Sequence, residues 1–252
     1  MKKYWIIGSS SGIGKELAKK LDAKGYSLIL SSRNVDKLIQ LNSELINDHE
    51  IIPLDLSDKD QCLKVSKDII SKEIDSLSII FMSATYSPDD TTDYENVINV
   101  NILGLLHILS ITKEFLKNTK DPSQLIICSS LVAYKGLPYS QPYSMTKAAL
   151  YNLASSLHIE LKGVVDVKVI TPGFVKTPLT DKNSNHNTEE WLPKLKKIAK
   201  KGDPVIIICR SGKRSGIVSK LLDEQANYTN VYNASGGMVS WISLKNKTVK
   251  PN

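Results

Sequence analysis

The chain has 252 residues, 41% of them hydrophobic and 23% charged, a composition that excludes disordered, collagen-like and coiled-coil proteins. This length suffices for one large α/β domain or for two small ones. The formal net charge of +7 arises from 33 basic and 26 acidic residues spread along the chain. The densest basic run, Lys194 to Lys201, lacks interleaved aromatic residues and is typical of a solvated helix face, so we expect no nucleic-acid partner.

Cysteine usage and the N-terminal sequence bear on the compartment. Cys62, Cys128 and Cys209 are too few and too far apart for a disulfide framework or a zinc site, so we expect no metal and a reducing compartment, the cytoplasm. The apolar run Tyr4 to Ile7 is much shorter than a signal-peptide core or the roughly 20 residues of a membrane span. We therefore expect no membrane association.

Short apolar runs alternate with helical patterns over the first two thirds of the chain. The predicted strands are Tyr4 to Ile7, Ser27 to Ser32, Glu50 to Leu56, Leu77 to Ala84, Gln124 to Ser130 and Val165 to Gly173. The predicted helices are Lys15 to Lys24, Val35 to Asn47, Asp58 to Lys72, Tyr94 to Leu116 and Tyr143 to Leu161. This alternation predicts a doubly wound α/β fold, a parallel sheet with helices on both faces.

The polar segment Thr180 to Thr188 interrupts this rhythm and predicts a junction between a domain of residues 1–183 and a segment of residues 184–252. The elements predicted beyond it are a helix from Glu189 to Lys201, a strand from Val205 to Cys209, a helix from Gly212 to Gln225, a strand from Asn230 to Asn233 and a helical turn from Gly237 to Trp241.

A glycine-rich turn, Gly8 to Gly14, follows the first predicted strand and opens the first helix. Glycines at this point permit a tight turn and let the backbone approach a pyrophosphate, whose charge lies against the free N–H groups of the helix N-terminus. The pattern indicates a dinucleotide site.

Tyr143 and Lys147 are four residues apart on a predicted helix, so both side chains lie on one face. A phenol has a reference pKa of about 10, and a nearby ammonium favours the phenolate, so Tyr143 can exchange a proton with a carbonyl or an alcohol. Ser130, at the end of the fifth predicted strand, is placed to hold the substrate oxygen.

These motifs occur in the order found in short-chain dehydrogenase/reductases, and the resemblance covers residues 2 to 182. It implies a Rossmann-type fold with Tyr143 as catalytic acid–base, Ser130 polarising the substrate and Lys147 lowering the pKa of the tyrosine and holding the nicotinamide ribose. It also implies that Asn101 supports a proton-relay water. The residues that it assigns to the cofactor are Gly8, Ser10, Gly12, Ile13, Gly14, Arg33, Asp55, Leu56, Ser83, Ala84, Tyr143, Lys147, Pro172, Gly173 and Thr177.

The end of the second strand decides the expected cofactor. Ser31, Ser32 and Arg33 offer no carboxylate for a ribose 2′-hydroxyl but do offer a guanidinium for a 2′-phosphate, which favours NADP, with NAD as the alternative.

One departure from the family pattern lies after the fourth strand, where Ser83 to Thr85 replace Asn-Ala-Gly. Thr85 restricts the backbone where the family has glycine.

The last third resembles the C-terminal half of a rhodanese, a sulfurtransferase domain. The resemblance rests on the strand Val205 to Cys209, the loop Cys209 to Arg214, the helix after it, and Val231 to Asn233 with Gly236, Gly237 and Trp241. A cysteine that follows a strand and faces a helix N-terminus, beside Arg210, Lys213 and Arg214, is stabilised as a thiolate and could carry a persulfide.

The front half of a rhodanese is absent before Asp203, and an isolated two-stranded fragment cannot bury its own apolar faces. We therefore expect the predicted strands Val205 to Cys209 and Val231 to Asn233 to extend the Rossmann-type sheet.

The leading hypothesis is an oxidoreductase that transfers hydride between NADP(H) and a small carbonyl or alcohol substrate. A persulfide-forming sulfurtransferase that uses Cys209 and an inactive fusion are the alternatives. The family resemblance also implies a homodimer or homotetramer through the helices that begin near Tyr94 and Tyr143.

Overall fold

The structure is a computed structural model, which describes residues 2–86, 94–136, 140–173, 175, 177–181, 195–197, 199–207, 213–224 and 226–233. The chain divides into two compact units, Met1–Ser184 and Asn185–Asn252. The cysteine loop of the sulfurtransferase hypothesis, including Cys209 and Arg210, lies outside the described residues.

The first unit is built on a six-stranded parallel sheet with the order β3-β2-β1-β4-β5-β6. Its strands are β1 (Lys2–Ile7), β2 (Ser27–Ser31), β3 (Glu50–Ile51), β4 (Ser76–Phe81), β5 (Ser123–Cys128) and β6 (Val165–Ile170). Its helices are α1 (Gly12–Asp22), α2 (Val35–Glu44), α3 (Lys59–Ile70), α4 (Tyr94–Ile98), α5 (Gly104–Lys117), α6 (Gln141–Glu160) and α7 (Pro178–Asp181). The predicted Rossmann-like fold of this unit is confirmed.

Both faces of the sheet are buried, which explains why its strands appear as continuous apolar runs. Along β1, Trp5 and Ile7 belong to the core beneath α3, α5 and α6, and the alternating residues Tyr4 and Ile6 belong to the core beneath α1 and α2. Trp5, Ile6 and Ile7 are at most 1% exposed.

Two elements differ from the sequence prediction. The predicted strand Glu50 to Leu56 is a ladder strand only at Glu50–Ile51, although the backbone nitrogens of Ile52 and Leu54 still donate to the carbonyl oxygens of Leu30 and Ser32. The predicted helix from Tyr94 to Leu116 contains a π-helical turn, Asn99–Leu103, between α4 and α5. The stretch Tyr94–Lys117 is long and apolar enough to cross a membrane, but α5 packs on α3 and α4 packs on α6, as in a core helix.

The second unit contains the strands β7 (Val205–Ile207) and β8 (Val231–Asn233) and the helix Lys213–Glu224. The two strands pair in parallel in a sheet of their own. In the described residues they form no ladder with the six-stranded sheet, which contradicts the expectation that they extend it. One face of this sheet is covered within the unit, where Val205, Leu222, Ala226 and Tyr228 form a buried cluster, whereas Ile206 and Tyr232 are exposed. The turn predicted at Gly237 to Trp241 lies outside the described residues.

Candidate active site

A cleft of about 300 Å³ opens at the carboxyl end of the parallel sheet of the first unit. The strand order reverses between β1 and β4. Open α/β sheets bind ligands at such a topological switch point. The cleft is lined by Gly8, Ser10–Gly14, Ser32–Asn34, Leu54, Leu56, Met82–Ala84, Val100, Cys128–Ser130, Tyr143, Lys147, Pro172, Gly173, Val175 and Thr177–Leu179.

The glycine-rich turn is tightly packed against its neighbours. A Cβ on Gly14 would lie 2.1 Å from the carbonyl oxygen of Gly8, and a Cβ on Gly8 would lie 2.7 Å from the backbone nitrogen of Ser83. Gly8 and Gly12 also have φ angles of +92° and +56°, which favour glycine. The residues therefore fit a group that approaches the backbone at the N-terminus of α1, such as the pyrophosphate of a dinucleotide.

The charge of the cleft also fits such a ligand. Among the described residues that line it there is no Asp or Glu, whereas Arg33 and Lys147 contribute positive charge. Arg33 is exposed and is the second residue after β2. An anionic ligand is favoured by this distribution.

Ser130, Tyr143 and Lys147 meet at the carboxyl end of β5. The Ser130 hydroxyl is hydrogen-bonded to the Tyr143 side chain and donates to the carbonyl oxygen of Pro172 at 3.5 Å. The Lys147 ammonium lies 5.6 Å from the centroid of the Tyr143 ring. The sequence prediction placed these three side chains together, and they all line the cleft.

Burial controls the ionisation of this group. Burial and the neighbouring Cys128 raise the pKa of Tyr143 to about 12, against the effect of its hydrogen bond with Ser130. Burial also lowers the pKa of Lys147. The expected lowering of the tyrosine pKa is thus not found, because removal of the phenolate from water outweighs its hydrogen bond with Ser130. At neutral pH Tyr143 is a protonated phenol.

Asn101 lies behind the cleft and does not line it. It is in the π-helical turn and is fully buried. Its side chain accepts a hydrogen bond from the backbone nitrogen of Thr85 at 2.7 Å, donates to the carbonyl oxygen of Thr85 at 3.0 Å and donates to Thr146 Oγ1 at 3.1 Å. The backbone at Thr85, where the sequence departs from the family pattern, is therefore fixed by this amide.

Asp55 is also outside the cleft lining, although Leu54 and Leu56 on either side of it belong to the lining. Its carboxylate accepts hydrogen bonds from the backbone nitrogen and the hydroxyl of Ser57, at 2.9 and 2.7 Å. The other residues that were predicted to bind the cofactor all line the cleft.

Sequence reasoning missed three residues close to the reacting group. Cys128 and Ser129 line the cleft directly before Ser130, and their position at the carboxyl end of β5 was the available signal. Tyr86 packs edge-on against Tyr143, with ring centroids 5.6 Å apart and an interplanar angle of 88°. No sequence motif indicates that contact.

Lys213 and Arg214, predicted to support the thiolate, are the first residues of the helix Lys213–Glu224. Cys209 and Arg210 lie outside the described residues, so the proposed sulfurtransferase site stays a prediction from sequence.

Comparisons with known proteins agree with both resemblances. The family model for short chain dehydrogenase matches residues 2–188, and the model for a rhodanese-like domain matches residues 144–244. The 3-oxoacyl-(acyl-carrier-protein) reductase FabG of Buchnera aphidicola is 30% identical over 244 residues, which cover 92% of this chain and 95% of the relative.

Solved structures give the same result for the fold. The alcohol dehydrogenase from Thermococcus sibiricus complexed with 5-hydroxy-NADP has a TM-score of 0.61 and 27% identity, and the match covers 69% of this chain and 77% of that one. A short-chain dehydrogenase/reductase from Brucella melitensis has a TM-score of 0.66 and 20% identity over 94% of this chain and 96% of that one. Together with the order of the motifs along the cleft, these matches establish that the chain belongs to the short-chain dehydrogenase family.

Proposed function

We propose that the chain is an NADP(H)-dependent oxidoreductase that interconverts a carbonyl and an alcohol at Ser130, Tyr143 and Lys147. The observation that carries the proposal is the convergence of these side chains in a cleft that has a glycine-rich turn and Arg33 but no carboxylate in its described lining. The related Thermococcus sibiricus enzyme was solved with 5-hydroxy-NADP, which supports the choice of cofactor.

Three parts of the chain would hold the cofactor. The glycine-rich turn with the N-terminus of α1 would hold the pyrophosphate, and the Arg33 guanidinium would pair with a 2′-phosphate. Lys147 binds the nicotinamide ribose. When bound, the reduced cofactor supplies a hydride to the carbonyl carbon.

The chain's own residues handle the proton. Ser130 donates a hydrogen bond to the carbonyl oxygen, and the Tyr143 phenol gives its proton to that oxygen as negative charge develops. A pKa of about 12 keeps Tyr143 protonated at neutral pH, as reduction requires. The buried Lys147 ammonium stabilises the phenolate that remains.

A fluorescence titration with NADPH and then with NADH tests this function. We expect saturable binding that is tighter for NADPH, and NADPH-dependent reduction of some member of a panel of aldehydes and ketones. A chain that binds neither NADPH nor NADH would contradict the proposal.

The rhodanese-like match over residues 144–244 supports a second candidate, sulfur transfer through Cys209. A persulfide on Cys209 is formed from thiosulfate, with sulfite as the leaving group, and the sulfane sulfur then passes to cyanide. Thiosulfate-dependent formation of thiocyanate that is lost in Cys209→Ser supports this candidate. Equal rates in both proteins favour a segment without this chemistry.

The proposal extends to self-association and compartment. Several apolar side chains of α4 to α6 are solvent-exposed, among them Tyr94 at 41%, Leu106 at 38% and Met145 at 46%. We propose that these helices form a homodimer or homotetramer interface, which light scattering after size-exclusion chromatography tests.

The free thiols of Cys62 and Cys128 support a cytoplasmic location.

A further inference from the structure

The hydroxyl of Ser129 makes a hydrogen bond for which the reaction chemistry gives no direct reason. Ser129 is 2% exposed, and its Oγ donates to the backbone carbonyl oxygen of Lys147 at 2.6 Å. That carbonyl lies inside α6, where it already accepts the N–H four residues later. Because a carbonyl oxygen has two lone pairs, the bond from Ser129 is additional, and it joins α6 to the end of β5.

The carboxyl end of β5 also holds the side chain of Lys147. Its Nζ donates to the carbonyl oxygen of Cys128 at 2.8 Å, and the side chain is buried with the residue 2% exposed. Cys128 and Ser129 are consecutive, so two adjacent residues fix the ammonium and the backbone of one lysine. Loss of the Ser129 hydroxyl removes the hydrogen bond to the backbone of Lys147 and leaves the hydrogen bond from its ammonium to Cys128.

The strand end that holds Lys147 also carries Ser130. The backbone nitrogen of Ser129 donates to the carbonyl oxygen of Ile170 at 2.8 Å, and the nitrogen of Leu131 donates to that of Pro172 at 3.0 Å. Ser130 therefore lies between two fixed backbone positions. The bond from Ser129 to α6 consequently sets the distance between Ser130 on one element and Tyr143 and Lys147 on the other.

We propose that Ser129 is a positioning residue for the reaction, acting through Lys147. This inference rests on the proposed function, in which Lys147 binds the cofactor ribose and stabilises the phenolate. A displacement of about 1 Å in a reacting group can cost about 100-fold in rate. We expect Ser129→Ala to lower kcat about 10- to 100-fold and to weaken NADPH binding about fivefold, because Lys147 takes part in both.

The matched control is Ser76→Ala. Ser76 is also fully buried, and its Oγ donates to the backbone carbonyl oxygen of Pro122 at 2.8 Å, in a part of the sheet that does not line the cleft. We expect Ser76→Ala to lower Tm like Ser129→Ala while it leaves kcat and the NADPH dissociation constant within about twofold of the wild type. Ser129→Thr, which keeps a hydroxyl, should restore both quantities towards the wild-type values.

The test measures kcat, the NADPH dissociation constant by fluorescence titration, and Tm for the wild type and the three variants. The positioning role is overturned if Ser129→Ala matches Ser76→Ala, or if Ser129→Thr is as impaired as Ser129→Ala while its Tm is unchanged. A wild-type chain that neither binds NADPH nor reduces a carbonyl overturns the proposed function, and the role of Ser129 with it. The wild-type baseline thus distinguishes the two failures.

Discussion

In the proposed reaction Tyr143, whose pKa is high, gives up a proton. In the structure its phenol is buried, hydrogen-bonded to Ser130 and packed edge-on against Tyr86. A protonated phenol at neutral pH suits reduction, whereas oxidation of an alcohol needs the phenolate. Since the fraction of phenolate increases with pH, the site favours oxidation as the pH rises and reduction at neutral pH.

We expect Tyr143→Phe to lower kcat for carbonyl reduction by at least about 100-fold, because the general acid is removed while the ring and its packing remain. NADPH affinity should stay within about threefold of the wild type. Steady-state kinetics with a fluorescence titration measure both quantities. A comparable loss of NADPH binding would show that the hydroxyl has a structural role instead.

Arg33 gives a prediction about cofactor choice. We expect Arg33→Ala to weaken NADPH binding about tenfold and to leave NADH binding within about twofold, because only NADPH carries the 2′-phosphate that the guanidinium pairs with. Titration of both cofactors against wild type and variant measures the ratio. Lys37→Ala on α2, next to this site in sequence but absent from the cleft lining, is the control. An equal loss for both cofactors would contradict the assignment.

At the scale of elements, the turn between β1 and α1 depends on the missing side chain of Gly14. We expect Gly14→Ala to abolish NADPH binding and to lower Tm, because its Cβ would lie 2.1 Å from the backbone oxygen of Gly8, which cannot move without opening the turn. Gly202→Ala, where no atom lies within 4 Å of the added Cβ, should change neither quantity. Normal NADPH binding by Gly14→Ala would exclude this turn as the pyrophosphate site.

The C-terminal end of α1 is joined to the segment after α2 by a buried carboxylate. Asp22 accepts hydrogen bonds from the backbone nitrogens of Ile46 and Asn47, at 2.7 and 3.1 Å, and contacts His49 Nε2 at 3.0 Å. Burial acts to raise the pKa of Asp22, but the hydrogen bonds from Ile46 and Asn47 outweigh it and lower that pKa to about 2.

A folded-state pKa below the unfolded value means that the carboxylate stabilises the fold at neutral pH. This stabilisation is complete above the unfolded pKa of about 3.9 and is lost as the pH falls towards about 2. We expect Asp22→Asn to lower the free energy of unfolding at pH 7 by about 1 to 2 kcal/mol, and by less at pH 3. Urea unfolding at both pH values measures this, with the exposed Asp68→Asn as control. An equal effect at both pH values would contradict the argument.

The strand and helix pattern could be predicted because β1, β2 and β4 bury residues on both faces and helices such as α2 and α3 bury one face. The bounds of β3 could not, since the ladder ends at Ile51 although the backbone nitrogens of Ile52 and Leu54 still donate to the carbonyl oxygens of Leu30 and Ser32. The π-helical turn also escaped prediction, because local periodicity does not show that Asn101 within it has the distant partners Thr85 and Thr146.

The same distinction applies to the candidate site. Spacing was enough to bring Ser130, Tyr143 and Lys147 together, because it places them on two elements that meet at the carboxyl end of the sheet. The direction of the Tyr143 pKa shift was wrong, since burial is a property of the whole fold and the sequence showed only the neighbouring ammonium. Asp55 does not line the cleft, and its carboxylate accepts hydrogen bonds from Ser57, two residues away, a local contact that the resemblance did not predict.

At the scale of the whole molecule, each unit has its own sheet and its own buried cluster. The sequence suggested one continuous sheet because a two-stranded fragment needs a cover, but the helix Lys213–Glu224 packs on both strands of the second unit and supplies one. All the described residues that line the cleft belong to Met1–Ser184. The proposed cofactor site thus draws its described lining from the first unit.

We therefore expect Tyr228→Ala to destabilise the second unit and to leave NADPH binding within about twofold of the wild type. Tyr228 is 1% exposed in the core of the second unit, and its hydroxyl donates to the backbone oxygen of Ala199 at 3.0 Å, so truncation costs about 3 to 5 kcal/mol. Limited proteolysis should cleave the variant faster within residues 185–252, while fluorescence titration measures the NADPH dissociation constant. Leu150→Ala, a buried residue of α6 in the first unit, is the matched control and should weaken NADPH binding instead. Loss of NADPH binding in Tyr228→Ala would mean that the second unit takes part in the site.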